Sequence, residues 1–185
     1  MAHVVTGKVR LSYVHLTQPS ENLSGKLKYS CVILIPKSDT QTVERINAGV
    51  AQAKEEGRVK KWQGKIPMSV QSPLRDGDGQ KPRGGAYGEE CKGHWVLNAT
   101  ANEDRKPNIV DLNLQPILNA SEIYSGMYAR VGIDIYPFAA PGNSGISVAI
   151  TNVQKVADGD VLGGSAPSAE SDFGGSNVID PFGGF

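Results

Sequence analysis

YSGMYARVGIDIYPF, residues 124–138, decides the architecture. Met127, Ala129, Val131, Ile133 and Ile135 fall on one side of a two-residue repeat. Tyr128, Arg130, Gly132, Asp134, Tyr136 and Phe138 fall on the other. That alternation predicts a long strand with one face in a core. Pro141-Gly142-Asn143-Ser144-Gly145 then reads as a turn, and ISVAITNVQKV, 146–156, as the returning strand. Upstream, WVLNATA at 95–101 reads as another strand. Residues 102–123 read as a connection broken by Pro107 and Pro116 around the apolar stretch IVDLNL.

The N-terminal third adds two strands and a helix. Residues 4–16 alternate, which places Val5, Val9, Leu11 and Tyr13 on one face and Lys8, Arg10 and Ser12 on the other. Gln18 to Gly25 reads as a polar turn. LKYSCVILI, 27–35, becomes apolar on both faces and stops at Pro36. Ser38 with Gln41 fits a capping box, Val43, Ile46, Val50 and Ala51 follow a helical stripe, and Gly57 fits a stop. A helix over 39–56 follows. Residues 58–94, rich in Gly, Pro, Lys and Arg, read as one long loop, which in a compact domain is functional or mobile. About five strands and a single helix predict an all-β fold, a small barrel rather than an alternating α/β sheet.

The charge is segregated. The chain balances 19 basic against 19 acidic residues, but five of the acids lie in residues 158–185, which hold no Lys or Arg. The body, 1–157, therefore carries a net of +5. The tail is rich in Gly, Ser, Pro and Ala, which predicts a flexible acidic segment, and yet it ends on Phe182 and Phe185. The aromatics suit a protein partner, although a disordered terminus can carry them incidentally. No apolar run is long enough for a membrane span, the N-terminus lacks the features of a signal peptide, and two cysteines are too few for a disulfide framework. These features fit a cytosolic protein.

Cations interleaved with rings suit single-stranded nucleic acid, because bases stack on the rings while cations neutralise phosphate. Tyr128 and Arg130 on the long strand are candidates, and Tyr136 and Phe138 beside them suit packing under the helix or a loop. Arg58, Lys60, Lys61, Trp62 and Lys65 form a second group. Arg75, Lys81, Arg83 and Tyr87 extend it along the loop. That loop reads either as an arm over DNA or as a solvated face with Trp62 as its anchor. Lys8, Arg10 and Lys28 form a third strip if the first two strands pair in simple register, and ordinary solvation explains them equally well. Metal readings are fragmentary: Cys91-x-x-His94 is half a zinc pattern, and Asp76-Gly77-Asp78-Gly79 lacks the distal Glu of a calcium loop. No nucleotide-binding, hydrolase or zinc-protease motif occurs. No enzyme activity, cofactor or metal is expected.

YSGMYARVGIDIY at 124–136 and GNSGISVAITNVQKVADGDVLGG at 142–164 resemble a bacteriophage family of single-stranded-DNA-binding proteins, akin to the phage T7 type and formerly a domain of unknown function. The resemblance is strongest over 104–164, DRKPNIVD included, and weaker over 1–60. It implies an OB-fold five-stranded barrel over 1–157 with a binding groove across one face. It further implies an acidic tail, 158–185, that recruits replication and recombination proteins through Asp172, Asp180, Phe182 and Phe185. The tail departs from the usual ending, because Asp180-Pro181-Phe182 is followed by Gly183-Gly184-Phe185. The expected function is sequence-independent binding of single-stranded DNA in phage replication or recombination, in the cytoplasm of the infected bacterial host. Weak binding of double-stranded DNA through phosphates, and a homodimer, stay open. The competing reading is a phage structural or assembly protein built on a β-barrel.

Overall fold

The computed structural model describes residues 1–162. Its elements are β1 (Ala2–Val5), β2 (Val9–Glu21), β3 (Leu27–Pro36), α1 (Thr40–Lys60), β4 (Arg75–Asp76), β5 (His94–Asn102), β6 (Asn108–Val110), β7 (Tyr128–Ala140) and β8 (Asn143–Ala157). β2, β3, β5, β8 and β7 pair in a closed ring, because β7 bonds to both β2 and β8. Three short strands complete the count of eight where five were expected: β1 on β7, β4 on β5 and β6 on β8. The class is the expected one, mostly β with one helix and OB-like. The ring encloses Val9, Leu11, Leu16, Ile33, Leu97, Met127, Val131, Ile133 and Val153.

The expected strand over 4–16 is broken in two. Thr6 is buried, and its hydroxyl accepts a hydrogen bond from the Val131 amide at 3.0 Å. The Gly7 amide donates to the Thr42 hydroxyl at 2.9 Å, which passes the chain beneath the start of α1. A register shift in β2 between Ser12 and His15 then turns the alternation over. Leu11 and Leu16 stay inside, whereas Tyr13, expected on the core face, is 67% exposed with φ +47°. Val5 is also on the surface and Ser12 is buried. β2 continues through the region expected to turn. The true turn is Asn22–Lys26, where the Asn22 side chain accepts from the amides of Ser24 and Lys26.

The helix cap is Asp39, one residue after the expected Ser38, and its carboxylate accepts from the Thr42 amide at 3.1 Å. Gly57 does not end the helix. It lies within the last turn because a Cβ there would come within 2.5 Å of the Trp62 ring and 2.8 Å of Pro137. Trp62 is buried in this notch, and its indole N–H donates to the Phe138 carbonyl at 3.1 Å.

The long loop after α1 is held at one point above all. Lys37 reaches Asp76 at 2.6 Å and Asp78 at 2.7 Å. The two carboxylates raise the Lys37 pKa, and the ammonium holds both Asp76 and Asp78 below the ordinary carboxylate range. Asp78 also accepts from the Gly93 amide, and the Gly77 amide donates to the His94 carbonyl. The Asp-Gly-Asp-Gly stretch is thus a clamp on a lysine rather than a cation loop.

Two outcomes are expected. Trp62→Ala should destabilise the fold by about 3–5 kcal/mol, and Gly57→Ala by about 1–3 kcal/mol through overpacking, both read from chemical denaturation. In Lys37→Met, hydrogen exchange at the Gly77 and Gly93 amides should quicken while the barrel amides keep their protection. The clamp's two carboxylates have depressed native pKa values. Their contribution is therefore full above the unfolded value of about 3.9 and is lost as pH falls through the lower native values. The lysine's contribution is full below about 10.4 and is lost as pH rises through its raised native value. The protection factor at Gly93 in the wild type, its rate relative to an unstructured amide at the same pH, should stay high between those limits and fall outside them, and a protection factor that does not change across them would refute the clamp.

Candidate nucleic-acid interface

On β5, Trp95, Leu97, Ala99 and Ala101 point into the core, which leaves Val96, Asn98 and Thr100 on the outer face. Three concavities run across this face. Two of them share Pro82, Tyr87, Val96 and Asn98, and the third joins through Thr100. Together they form one groove. Tyr13 stands at one end, beneath the loop that carries Lys81 and Arg83. Arg75 lines the middle beside Ser147 and Val148. Lys28, Arg105, Lys106 and Tyr136 line the far end.

The loop over the groove is a built wall. Gln80 and Ala86 form a β-bridge, the Lys81 amide donates to the Gly85 carbonyl, and Gly84 and Gly85 take positive φ at the tip. Tyr87 packs on the cluster of Leu34, Cys91 and Val96, with the Lys81 ammonium 5.9 Å from its ring centre. Burial pushes the Cys91 thiol up, and the His94 ring meets the Lys92 carbonyl at 2.7 Å. Cys91 is therefore a packing residue. Among the described residues no three His, Cys, Asp or Glu side chains gather as a metal site.

The groove's electrostatics are one-sided. Lys28, Arg75, Lys81, Arg83, Arg105 and Lys106 form no ion pair among the described residues. Two acids line it, Glu90 and Asp134, and Asp134 is engaged by His3 at 2.6 Å. A floor of small polar and apolar side chains, three tyrosines and six unpaired cations can hold a polyanion whose planar groups need stacking surfaces.

The structure brings Lys28, Arg75, Lys81, Arg83 and Tyr87 to this groove, and it separates the other candidates from it. The strip of Lys8, Arg10 and Lys28 does not form. Arg10 pairs with Leu34, which already sets it six residues from Lys28, and two register shifts widen the gap so that Lys28 pairs with Ser20. Lys8 and Arg10 instead approach the Tyr128 ring at 4.7 and 5.7 Å, and Arg10 donates to the carbonyls of Gly126 and Asp160. Tyr128, half-buried against Gly159, is thus part of a clasp on the chain at 158–160 rather than an open platform. Arg130 donates to the Thr6 carbonyl at 3.4 Å. Trp62 is buried and so has no face for a base. Lys60, Lys61 and Lys65 are exposed beside it and line none of the three concavities.

Sequence reasoning missed Tyr13, Arg105 and Lys106. The Tyr13 position depends on a bulge that no residue type announces. Arg105-Lys106 was a visible basic pair, within the DRKPNIVD string. Tyr136, expected to pack, is half-buried and lines the groove, whereas Phe138 does pack, its ring against Gly145. Asp172, Asp180, Phe182 and Phe185 lie outside the described residues. Contacts do continue past Ala157: Asp158 accepts from Tyr124 at 2.8 Å and pairs with Lys155 at 2.7 Å, and the Leu162 amide donates to the Ser125 carbonyl. Leu162 packs beside Val32 and Tyr87, next to the Tyr13 end of the groove.

The chain is similar to known phage proteins over nearly its whole length. Protein p50 of Acyrthosiphon pisum secondary endosymbiont phage 1 is 32% identical over 172 residues, 89% of each chain. The single-stranded-DNA-binding protein of bacteriophage Enc34, solved in complex with single-stranded DNA, superposes with a TM-score of 0.71 at 25% identity, covering 88% of this chain and 90% of that one. Gp2.5, a single-stranded-DNA-binding protein of bacteriophage T7, shares the fold with a TM-score of 0.63 at 14% identity, covering 95% and 96%. A family model described as the ssDNA-binding protein of Enterobacter phage Enc34 matches residues 2–182, so the chain belongs to that family of phage single-stranded-DNA-binding proteins.

Proposed function

We propose that this chain binds single-stranded DNA without sequence preference, in the groove across β3, β5 and β8. The observation that carries the reading is the set of six cations without carboxylate partners, interleaved with Tyr13, Tyr87 and Tyr136. Rings accept any base and cations meet any phosphate, so this chemistry does not select a sequence. Family membership supports the same reading. A duplex offers phosphates but no open base faces, so it gains only the electrostatic part and binds weakly. The setting is phage DNA replication or recombination in the cytoplasm of an infected bacterium. No helix among the described residues is long and apolar enough to cross a membrane.

Titration of labelled oligonucleotides at two salt concentrations tests this. Affinity should fall with salt by about −0.7 in log–log slope per phosphate neutralised. Tyr13→Ala and Tyr87→Ala should each weaken binding by about 1–3 kcal/mol with the protein folded, and Lys81→Ala with Arg83→Ala should flatten the slope. A salt-independent affinity, or one confined to a single sequence, excludes the groove reading.

The acidic segment after the body, with Asp172 and Asp180 among its acids, acts as a weak electrostatic competitor for the groove and presents Phe182 and Phe185 to replication or recombination proteins. Support comes from its charge and from the exit of the chain at Leu162, beside Tyr13. Tethering keeps the acids at high local concentration, and salt screens them. Deleting 163–185 should raise DNA affinity, more at low salt than at high salt. Equal affinity of the two forms at low salt counts against the competition.

A further inference from the structure

Outside the groove, two groups of three large apolar side chains stand in the open. Leu112, Leu114 and Leu118 are 62%, 69% and 92% exposed. Val59, Ile66 and Met68 are 64%, 42% and 101% exposed. Leu112 and Leu118 share one concavity, and a contiguous exposed apolar patch marks a contact surface more often than scattered single residues do.

The two groups carry opposite charge. Leu112 and Leu118 line a ledge with Asp111 and Glu122, neither of which pairs with a cation among the described residues, while the ledge's Lys155 is paired with Asp158. Residues 163–185 contain no Lys or Arg that could serve. The ledge is also built. The Asp111 carboxylate accepts from the amides of Asn113 and Gln115, and this turn holds Leu114 at φ +61°, an unfavourable conformation for a leucine. The other group lies among Lys61 and Lys65, which are likewise unpaired among the described residues.

The placement prevents one chain from joining its own two patches. The basic segment is anchored by Trp62 on Phe138, which pairs with Gly145 near the β7–β8 turn. The ledge borders Lys155, Val156 and Ala157, at the other end of β8. Roughly 35–40 Å of strand separates them at about 3.3 Å per residue. When two unlike patches at opposite ends of a molecule meet head to tail the contact is heterologous, and it extends into an open chain wherever the rotation does not close a ring. Like charge disfavours the acidic tail as the occupant of an acidic ledge.

We propose that the 111–122 ledge of one copy receives the 59–68 segment of the next, so that copies add head to tail along a DNA strand. This rests on the single-stranded-DNA reading and adds cooperativity to it. The three leucines meet the three apolar side chains of the neighbour, while Asp111 and Glu122 face Lys61 and Lys65.

The test compares a thymidine oligonucleotide that holds one copy with one that holds many, at about 0.15 M salt, where contributions from distant charges are screened. The wild type should bind the long strand with a steeper isotherm than the short strand predicts. Lys61→Glu with Lys65→Glu should keep short-strand affinity and lower the cooperativity about tenfold or more, because like charges then face each other. Adding Glu122→Lys should recover most of it. Leu118→Asp should lower it independently, and all these sites are exposed, so far-ultraviolet circular dichroism should match the wild type. Cooperativity absent in the wild type, or unchanged in both the lysine and the leucine variants, overturns the proposal. So does loss of short-strand affinity in the lysine variant, which makes those lysines DNA contacts. Cooperativity that vanishes on deleting 163–185 but survives Leu118→Asp also overturns it and points to the tail. Failure of the wild type to bind the short strand is a separate result and removes the DNA reading itself.

Discussion

The barrel closes because one strand, β7, serves several partners. Its one edge runs along β8 for its whole length, from Tyr128 opposite Ala157 to Ala140 opposite Asn143. Its other edge is divided, with Tyr128 and Ala129 on β2 and Gly132 to Ile135 on β1. Thr6 fills the junction. Its backbone amide donates to the Val131 carbonyl, and its hydroxyl accepts from the Val131 amide. Without that hydroxyl the amide would be a buried donor with no partner, which is costly. The closed ring leaves the outer face of β5 free, and the groove runs across that face with side chains from β2, β3, β7 and β8 and from the loops beside it.

The groove wall in turn depends on Lys37. It stands one residue past the end of β3 and reaches forward to Asp76 and Asp78, so the loop over the groove is fixed to the barrel by charge here and by the apolar packing of Leu74 and Tyr87 on either side. A wall held this way can be firm where it is clamped and compliant at its tip, where Lys81, Arg83 and two glycines of positive φ lie. That distribution suits a groove that must admit a chain of bases and then bring cations to its phosphates.

Much of this was legible. The 124–138 alternation and the following turn define β7 and β8, and the charge of the 75–87 loop marks one wall of the groove. The register was not legible. A one-residue shift at Ser12 reverses which side chains face out, and it converts Tyr13 from an expected core residue into an exposed ring. The starting register also separates Arg10, opposite Leu34, from Lys28, and the two shifts in β2 widen the gap. Trp62 shows the limit of reading rings within charge runs: what fixes its role is Gly57, five residues earlier, whose missing side chain makes room for the indole. A glycine near the end of a helix reads as a stop, and only the packing shows it to be a notch.

The arrangement of acids explains how a chain of zero net charge presents a cationic groove. Several body carboxylates are committed to cations outside the groove set, Asp76 and Asp78 to Lys37, Glu55 to Arg58, Glu89 to Lys92 and Asp134 to His3, as is Asp158 just past the body to Lys155; of the two acids that line the groove, Glu90 alone is unpaired among the described residues. The pairs with Lys37, Arg58, Lys92 and Lys155 steady a loop, a helix end or the exit of the chain, and the His3 pair, between β1 and β7, engages one of the two acids that line the groove. The six groove cations are left to repel one another, a modest cost to the folded state that a polyanion removes on binding. Binding is then favoured by relief of that repulsion and by release of the polyanion's counterions, both electrostatic terms. Under the proposed reading, selectivity for single strands comes instead from the tyrosines, because stacking is the one contact here that a paired base cannot make.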